Sequence, residues 1–198
     1  MEKNKKVVRK TFLPHQYERE EEFLSKMAKE GWTFIKFQGG FPSKYEFIQS
    51  EPIDYIYQLD YVKEEENNDS YHQLFADAGW EEICESDGIY NGKWYYFRRL
   101  RNGGKNTAIF TDNDSKVQLY TKLLQDYSLF YFILLLLQYS GFSTAIKDLF
   151  HIGIASFSDI MLSILFVIFL LFNIVYITMI IGILIKRRKL VRERAYRL

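Results

Sequence analysis

Phe23-Leu24-Ser25-Lys26-Met27-Ala28-Lys29-Glu30-Gly31-Trp32 is matched, 48 residues further on, by Tyr71-His72-Gln73-Leu74-Phe75-Ala76-Asp77-Ala78-Gly79-Trp80. Both segments read as a helix closed by Gly-Trp. A glycine just past a helix accepts the left-handed conformation that ends the last turn, and the large apolar residue after it folds back on the helix. The surroundings repeat as well. Alternating stretches precede the two helices, Val8-Arg9-Lys10-Thr11-Phe12 and Tyr55-Ile56-Tyr57-Gln58-Leu59-Asp60-Tyr61, and such alternation marks a strand with one buried face. Two further strands follow each helix. In the first unit they are Thr33 to Phe37 and Tyr45 to Ile48, joined by Gly39-Gly40-Phe41-Pro42; in the second, Glu81 to Glu85 and Lys93 to Arg99, joined through Asp87-Gly88 and Asn91-Gly92. Asp-Gly and Asn-Gly signal hairpins because both residues tolerate positive φ. The chain thus reads β-α-β-β twice, an α+β pattern expected to form one mostly antiparallel sheet with two helices on one face. The first helix should bury Phe23, Leu24, Met27 and Ala28, with Glu20, Glu21, Glu22, Lys26, Lys29 and Glu30 off that stripe.

The rest of the 198-residue chain differs in kind. Its net charge of +1 is a sum of unlike parts: −4 over residues 1–126, −1 over 127–185 and +6 over 186–198. The middle part has Lys147, Asp148 and Asp159 as its charged residues, all between two long apolar runs, which excludes an ordinary soluble protein. About 20 apolar residues cover the roughly 30 Å hydrocarbon core as a helix. The expected organisation is a cytoplasmic α+β repeat domain at 1–101, a linker and juxtamembrane helix at 102–126, transmembrane helices at 127–146 and 160–185 with a short external loop at 147–159 between them, and a basic tail at 186–198. Asp112-Asn113-Asp114-Ser115 can cap the juxtamembrane helix. Lys186, Arg187, Arg188 and Lys189 place the C-terminus in the cytoplasm by the positive-inside rule, and two spans return the N-terminus to the same side of the cell membrane. The charged Met1 to Lys10, which lacks the apolar run of a signal peptide, and the lone Cys84 agree with that side. Gln138 and Asn173 fall near the middle of their spans and are expected to hydrogen-bond across the hairpin.

Phe12, the Glu-rich helix start, Leu24 to Ala28, Gly31-Trp32, Tyr45 to Phe47, Tyr57 to Tyr61, Tyr71 to Phe75, Ala78-Gly79-Trp80 and Trp94-Tyr95-Tyr96-Phe97-Arg98, in that order, resemble an uncharacterised bacterial family of unknown function. The likeness runs from about Val7 to Arg99. It implies C-terminal membrane spans and a gene neighbourhood that often holds PadR-type transcriptional regulators, hence a regulatory or envelope-associated role. The family supplies no catalytic residues to carry over.

The residues themselves point away from known chemistry. His15, His72 and His151 have no second ligand at metal spacing, and Cys84 has His72 as its sole local base. Arg101-Asn102-Gly103-Gly104-Lys105 lacks the Ser/Thr of a phosphate-binding loop and reads as a linker, as Glu64-Glu65-Glu66 reads as a solvated connection. No motif implies a catalytic residue, a cofactor or a metal, and no basic domain suggests nucleic acid. The aromatic surplus is the stronger clue: if both helices cover one face, alternation sends Tyr55, Tyr57, Trp94 and Tyr95 toward a contact surface on the other. The reading is a non-enzymatic, membrane-anchored regulatory or protein-interaction module whose partners are membrane lipid and a regulator or membrane complex, with no small-molecule ligand identified. The alternatives are an accessory subunit of a membrane transporter and, behind it, a membrane-proximal enzyme built on Cys84, His72 or His15.

Overall fold

A computed structural model describes residues 4–66, 69–89, 92–101, 113–149 and 157–195. The expected linker at Asn102 to Lys105, Asp112 of the cap, Asn91 of the second hairpin, His151 and most of the external loop lie outside the described residues. The elements are β1 (Lys5–Lys10), α1 (Tyr17–Lys29), β2 (Trp32–Gln38), β3 (Ser43–Gln49), β4 (Tyr55–Lys63), α2 (Asp69–Asp77), β5 (Glu81–Asp87), β6 (Gly92–Leu100), α3 (Asn113–Leu149) and α4 (Phe157–Ala195), with a short 3₁₀ turn, Pro14–Gln16, leading into α1. The doubled β-α-β-β order is present, and so are its helix ends. Gly31 and Gly79 have φ of 84° and 77°. After α2, Trp80 N–H donates to the Phe75 carbonyl and Gly79 N–H to the Ala76 carbonyl, both at 2.9 Å, so the orphan carbonyls of the last turn are satisfied.

The repeats do not share one sheet. They form two three-stranded antiparallel sheets, ordered β1-β3-β2 and β4-β6-β5, with the last strand of each unit in the middle. The edges that come nearest one another, β2 and β5, are each interrupted by a bulge, between Phe34 and Lys36 in β2 and between Glu82 and Cys84 in β5. A bulge bends the strand and breaks the regular row of donors and acceptors that a neighbour needs. The two bulges are themselves 48 residues apart, at the same place in each repeat.

Nor do the helices lie on one face. Consecutive β6 residues point to opposite sides of the second sheet. Tyr96, with Tyr57, Leu59 and Tyr61 of β4, packs in a large core with Leu24, Met27 and Ala28 of α1. Tyr95 and Phe97 join Val62 in a smaller core under α2, where the Phe75 and Phe97 rings stack 4.0 Å apart. Both faces of that sheet are therefore covered. This overturns the expected exposed aromatic surface: Tyr57 and Tyr95 are 2% and 1% exposed, while Tyr55 and Trp94 are half-buried. The aromatic surplus fills two cores instead of one.

The two long helices run antiparallel. Tyr131 pairs with Asn173, the Tyr131 and Tyr176 rings stack 5.1 Å apart, and Arg187 Nε donates to Thr121 Oγ1 at 2.9 Å. Their ends nearest the sheets are part of the main core, where Tyr120 and Leu123 of α3 and Tyr176, Met179 and Ile183 of α4 are buried with Tyr17. Farther out, Leu135, Leu136 and Leu137 on α3 and Ile164, Leu165, Ile168 and Leu171 on α4 are exposed. Among the described residues one helical segment, Val167–Glu193, is long and apolar enough to cross a membrane.

Candidate functional site

Between the sheets and the base of α3 lies a cavity of about 240 Å³. Glu20 and Tyr17 of α1, Phe37 of β2, Trp94 and Tyr96 of β6 and Tyr127 of α3 line it, together with Phe12 and the end of β5 from Ser86 on to Ile89. Glu20 belongs to a five-residue stretch, Glu18-Arg19-Glu20-Glu21-Glu22, whose acids favour a helix start because they face the positive end of the peptide dipoles. It is not off the apolar stripe. Tyr17, Glu20, Leu24 and Met27 follow one another at helical spacing on the buried side of α1, and Glu20 is only 7% exposed.

The Tyr45 and Tyr96 hydroxyls, from the two different sheets, both donate to Glu20 Oε1 at 2.8 Å. Oε2 has no hydrogen bond among the described residues. Burial pushes the Glu20 carboxyl up to about 7 against the opposing pull of those two phenols. A second carboxylate, Asp60 on β4, is likewise raised to about 7 by burial; Tyr71 Oη donates to it at 3.1 Å beneath α2. Neither was legible as a site, since Asp60 sits in an alternating strand and Glu20 in a run of charge.

The groups named from sequence do not converge. Cys84 is half-buried with its thiol pushed up to about 11 by desolvation. His72 Nδ1 lies 2.8 Å from Glu82 Oε2. His15 packs against α4, where a Cβ on Gly182 would come within 2.8 Å of the imidazole. Among the described residues no group of His, Cys, Asp and Glu could hold a metal ion. Asn173 does find a partner, but not Gln138. Tyr131 Oη donates to Asn173 Oδ1 and Asn173 Nδ2 to the Phe169 carbonyl, both at 2.8 Å. Gln138 is seven residues beyond Tyr131, about 10 Å along the helix.

The basic residues after the apolar run also have local roles. Lys186 Nζ and Lys116 Nζ reach the two oxygens of Glu18 at 2.8 and 2.9 Å, tying α1 to α4 and α3 at once. Burial raises the Glu18 carboxyl, but the two ammonium groups outweigh it and hold it below the ordinary carboxylate range. Lys189 lies 3.9 Å from Glu193 on a helix that continues to Ala195, where a tail was expected.

Residues 16–135 match the family described as "Protein of unknown function (DUF2812)". The chain belongs to this family. The DUF2812 match starts in the 3₁₀ turn before α1 and ends at Leu135 on α3, so the family unit includes Glu20, its two tyrosines and the base of α3. It therefore leaves β1 outside and extends past β6 into α3. No curated protein and no solved structure matches the chain.

Proposed function

We propose that the protein is a membrane-anchored, non-enzymatic regulatory module whose α+β domain binds a protein partner in the cytoplasm. One observation carries this reading: the inner ends of α3 and α4 are packed into the domain core through Tyr120, Leu123, Tyr176 and Ile183. A plain tether would join the domain to the bilayer through a few exposed residues. Here any change in how the helices sit in lipid must displace core side chains, and cores are bistable rather than continuously deformable.

The two-pass topology, with both termini cytoplasmic, belongs to the same proposal. The spans at 127–146 of α3 and 160–185 of α4 run about 30 and 39 Å at 1.5 Å per residue, the first matching the hydrocarbon thickness and the second long enough to carry its inner end out of the bilayer. Exposed leucines and isoleucines on the outer parts of both helices need lipid or another apolar surface around them. The partner is a transcriptional regulator or an envelope complex. In-cell crosslinking of the full chain followed by mass spectrometry tests the reading. Crosslinks from residues 5–101 to a recurring protein are the expected result. Crosslinks confined to the helical hairpin and a transporter would shift the assignment to an accessory subunit, and repeated recovery of the protein alone would end the recruitment model.

A further inference from the structure

Glu20 is a carboxylate more than nine-tenths buried and without an ion-pair partner among the described residues. A buried charge is ordinarily paired or neutralised. Glu20 has one oxygen capped by two phenols and the other unpartnered, in a cavity that also carries Asp87 and that no Lys, Arg or His lines among the described residues. The rings around it form two pairs: Tyr17 and Trp94 have centroids 6.2 Å apart, and Phe37 stacks on Tyr96 at 5.1 Å. Aromatic faces attract cations through their quadrupole, most strongly where water is excluded. An anion would meet two carboxylates, and a neutral apolar ligand would leave Glu20 as it is now.

We infer that this cavity binds a small organic ammonium ion, its charged head against Glu20 and enclosed by the Tyr17, Phe37, Trp94 and Tyr96 rings. At about 240 Å³ the space is below that used by drug-sized ligands, which limits the ligand to a few heavy atoms beyond the head. Its walls come from both repeats and from α3, so an occupant bridges the three parts that the main core holds together. The inference deepens the regulatory reading and rests on it for the consequence of binding; binding itself is measured separately from partner capture.

Occupancy requires ionised Glu20, so it is linked to proton release. The groups interacting with Glu20 are the hydroxyls of Tyr45 on β3 and Tyr96 on β6, the Cys84 thiol on β5, the neighbouring Glu21 carboxyl on α1, which burial raises to about 8, and Asp87 in the cavity wall; none brings a positive charge. Binding is therefore tighter at pH 8 than at pH 5.5.

The test uses the full chain in a maltoside detergent, with choline as probe and its uncharged isostere 3,3-dimethyl-1-butanol as control, followed by calorimetry. The expected result is saturable choline binding at pH 8, at least tenfold tighter than the isostere, weakened at least fivefold at pH 5.5 and at least tenfold by Glu20→Gln. Trp94→Leu, which keeps the carboxylate, should weaken choline several-fold and provides the check if Glu20→Gln does not fold. Equal affinity for choline and its isostere, unchanged choline binding by either folded variant, or no saturable choline binding would overturn the inference. Nanodiscs separate two sources of the same chemistry. If phosphatidylethanolamine raises the apparent choline Kd relative to phosphatidylglycerol alone, a lipid headgroup occupies the site; an unchanged Kd assigns it to a soluble amine.

Discussion

Replacing Glu20 with glutamine should stabilise the protein in mild alkali and do much less in mild acid. The carboxyl stands at about 7 in the folded protein against 4.5 ordinarily, because burial disfavours its charge. A group whose folded pKa is raised holds its proton more tightly when folded. That contribution is complete below the unfolded value and is lost as pH rises through the folded one. Between pH 5 and pH 8 the wild-type chain therefore loses about 2.5 kcal/mol that an amide, which does not titrate, retains. The side-chain carbonyl of the introduced glutamine can still accept from Tyr45 and Tyr96, so the hydrogen bonds are not the variable. At roughly 2–4 °C per kcal/mol the melting temperature of Glu20→Gln relative to wild type should rise by about 5–10 °C between the two pH values. Asp60 titrates in the same direction but is common to both proteins and cancels; Glu21, raised to about 8 by burial and in part by Glu20, is relieved of that part in Glu20→Gln, which adds to the effect in the same direction. Tryptophan fluorescence on heating, in detergent at both pH values, reads the effect. A Glu20→Gln difference that is the same at pH 5 and pH 8 would refute the buried, uncompensated carboxylate.

Three further outcomes follow from the packing. Ile183→Ala should cost about 2–5 kcal/mol by leaving a hole in the core, whereas Ile181→Ala, two residues away and 47% exposed, should cost under about 1 kcal/mol; equal thermal shifts would mean that α4 is not part of the domain. Gly31→Ala should be worse than Gly79→Ala in chemical denaturation. Both lose about 1–2 kcal/mol to the left-handed backbone, but only at Gly31 would the new Cβ meet a carbonyl, that of Ser50, at 2.9 Å. Glu18→Gln removes the shared partner of Lys116 and Lys186 and should lower stability by about 1 kcal/mol, with faster amide exchange where α1 meets α3 and α4; exchange that stays at the wild-type rate would show that the two ion pairs hold nothing.

The duplicated order of elements was legible because its signals are local. Gly-Trp after an apolar helix and alternation around each turn need no knowledge of the rest of the chain. The division into two sheets was not, since a bulge at Phe34/Lys36 or Glu82/Cys84 leaves no mark in composition, and the side on which α2 settles is decided by which face of β6 is still bare. β1 starts at Lys5, before the expected Val8, because pairing with β3 extends it over lysines that alternation does not flag. Glu20 could have been found by its phase: it is three residues after Tyr17 and four before Leu24, yet charge on both sides drew it to the solvent face. Asn173 is half-buried and pairs with Tyr131 instead of Gln138, because the register between α3 and α4 that brings Tyr131 opposite it has no local signal in the sequence.

The matched bulges on β2 and β5 bear on how such a protein avoids association. Two copies of one structural unit in a single chain hold like strand edges beside each other permanently, at a concentration that no dilution lowers. Straight edges so placed could pair with each other or with the edge of another molecule. By breaking the ladder at the same place in both halves, the irregularities at Phe34/Lys36 and Glu82/Cys84 leave neither of these edges a regular row of donors and acceptors to offer another strand.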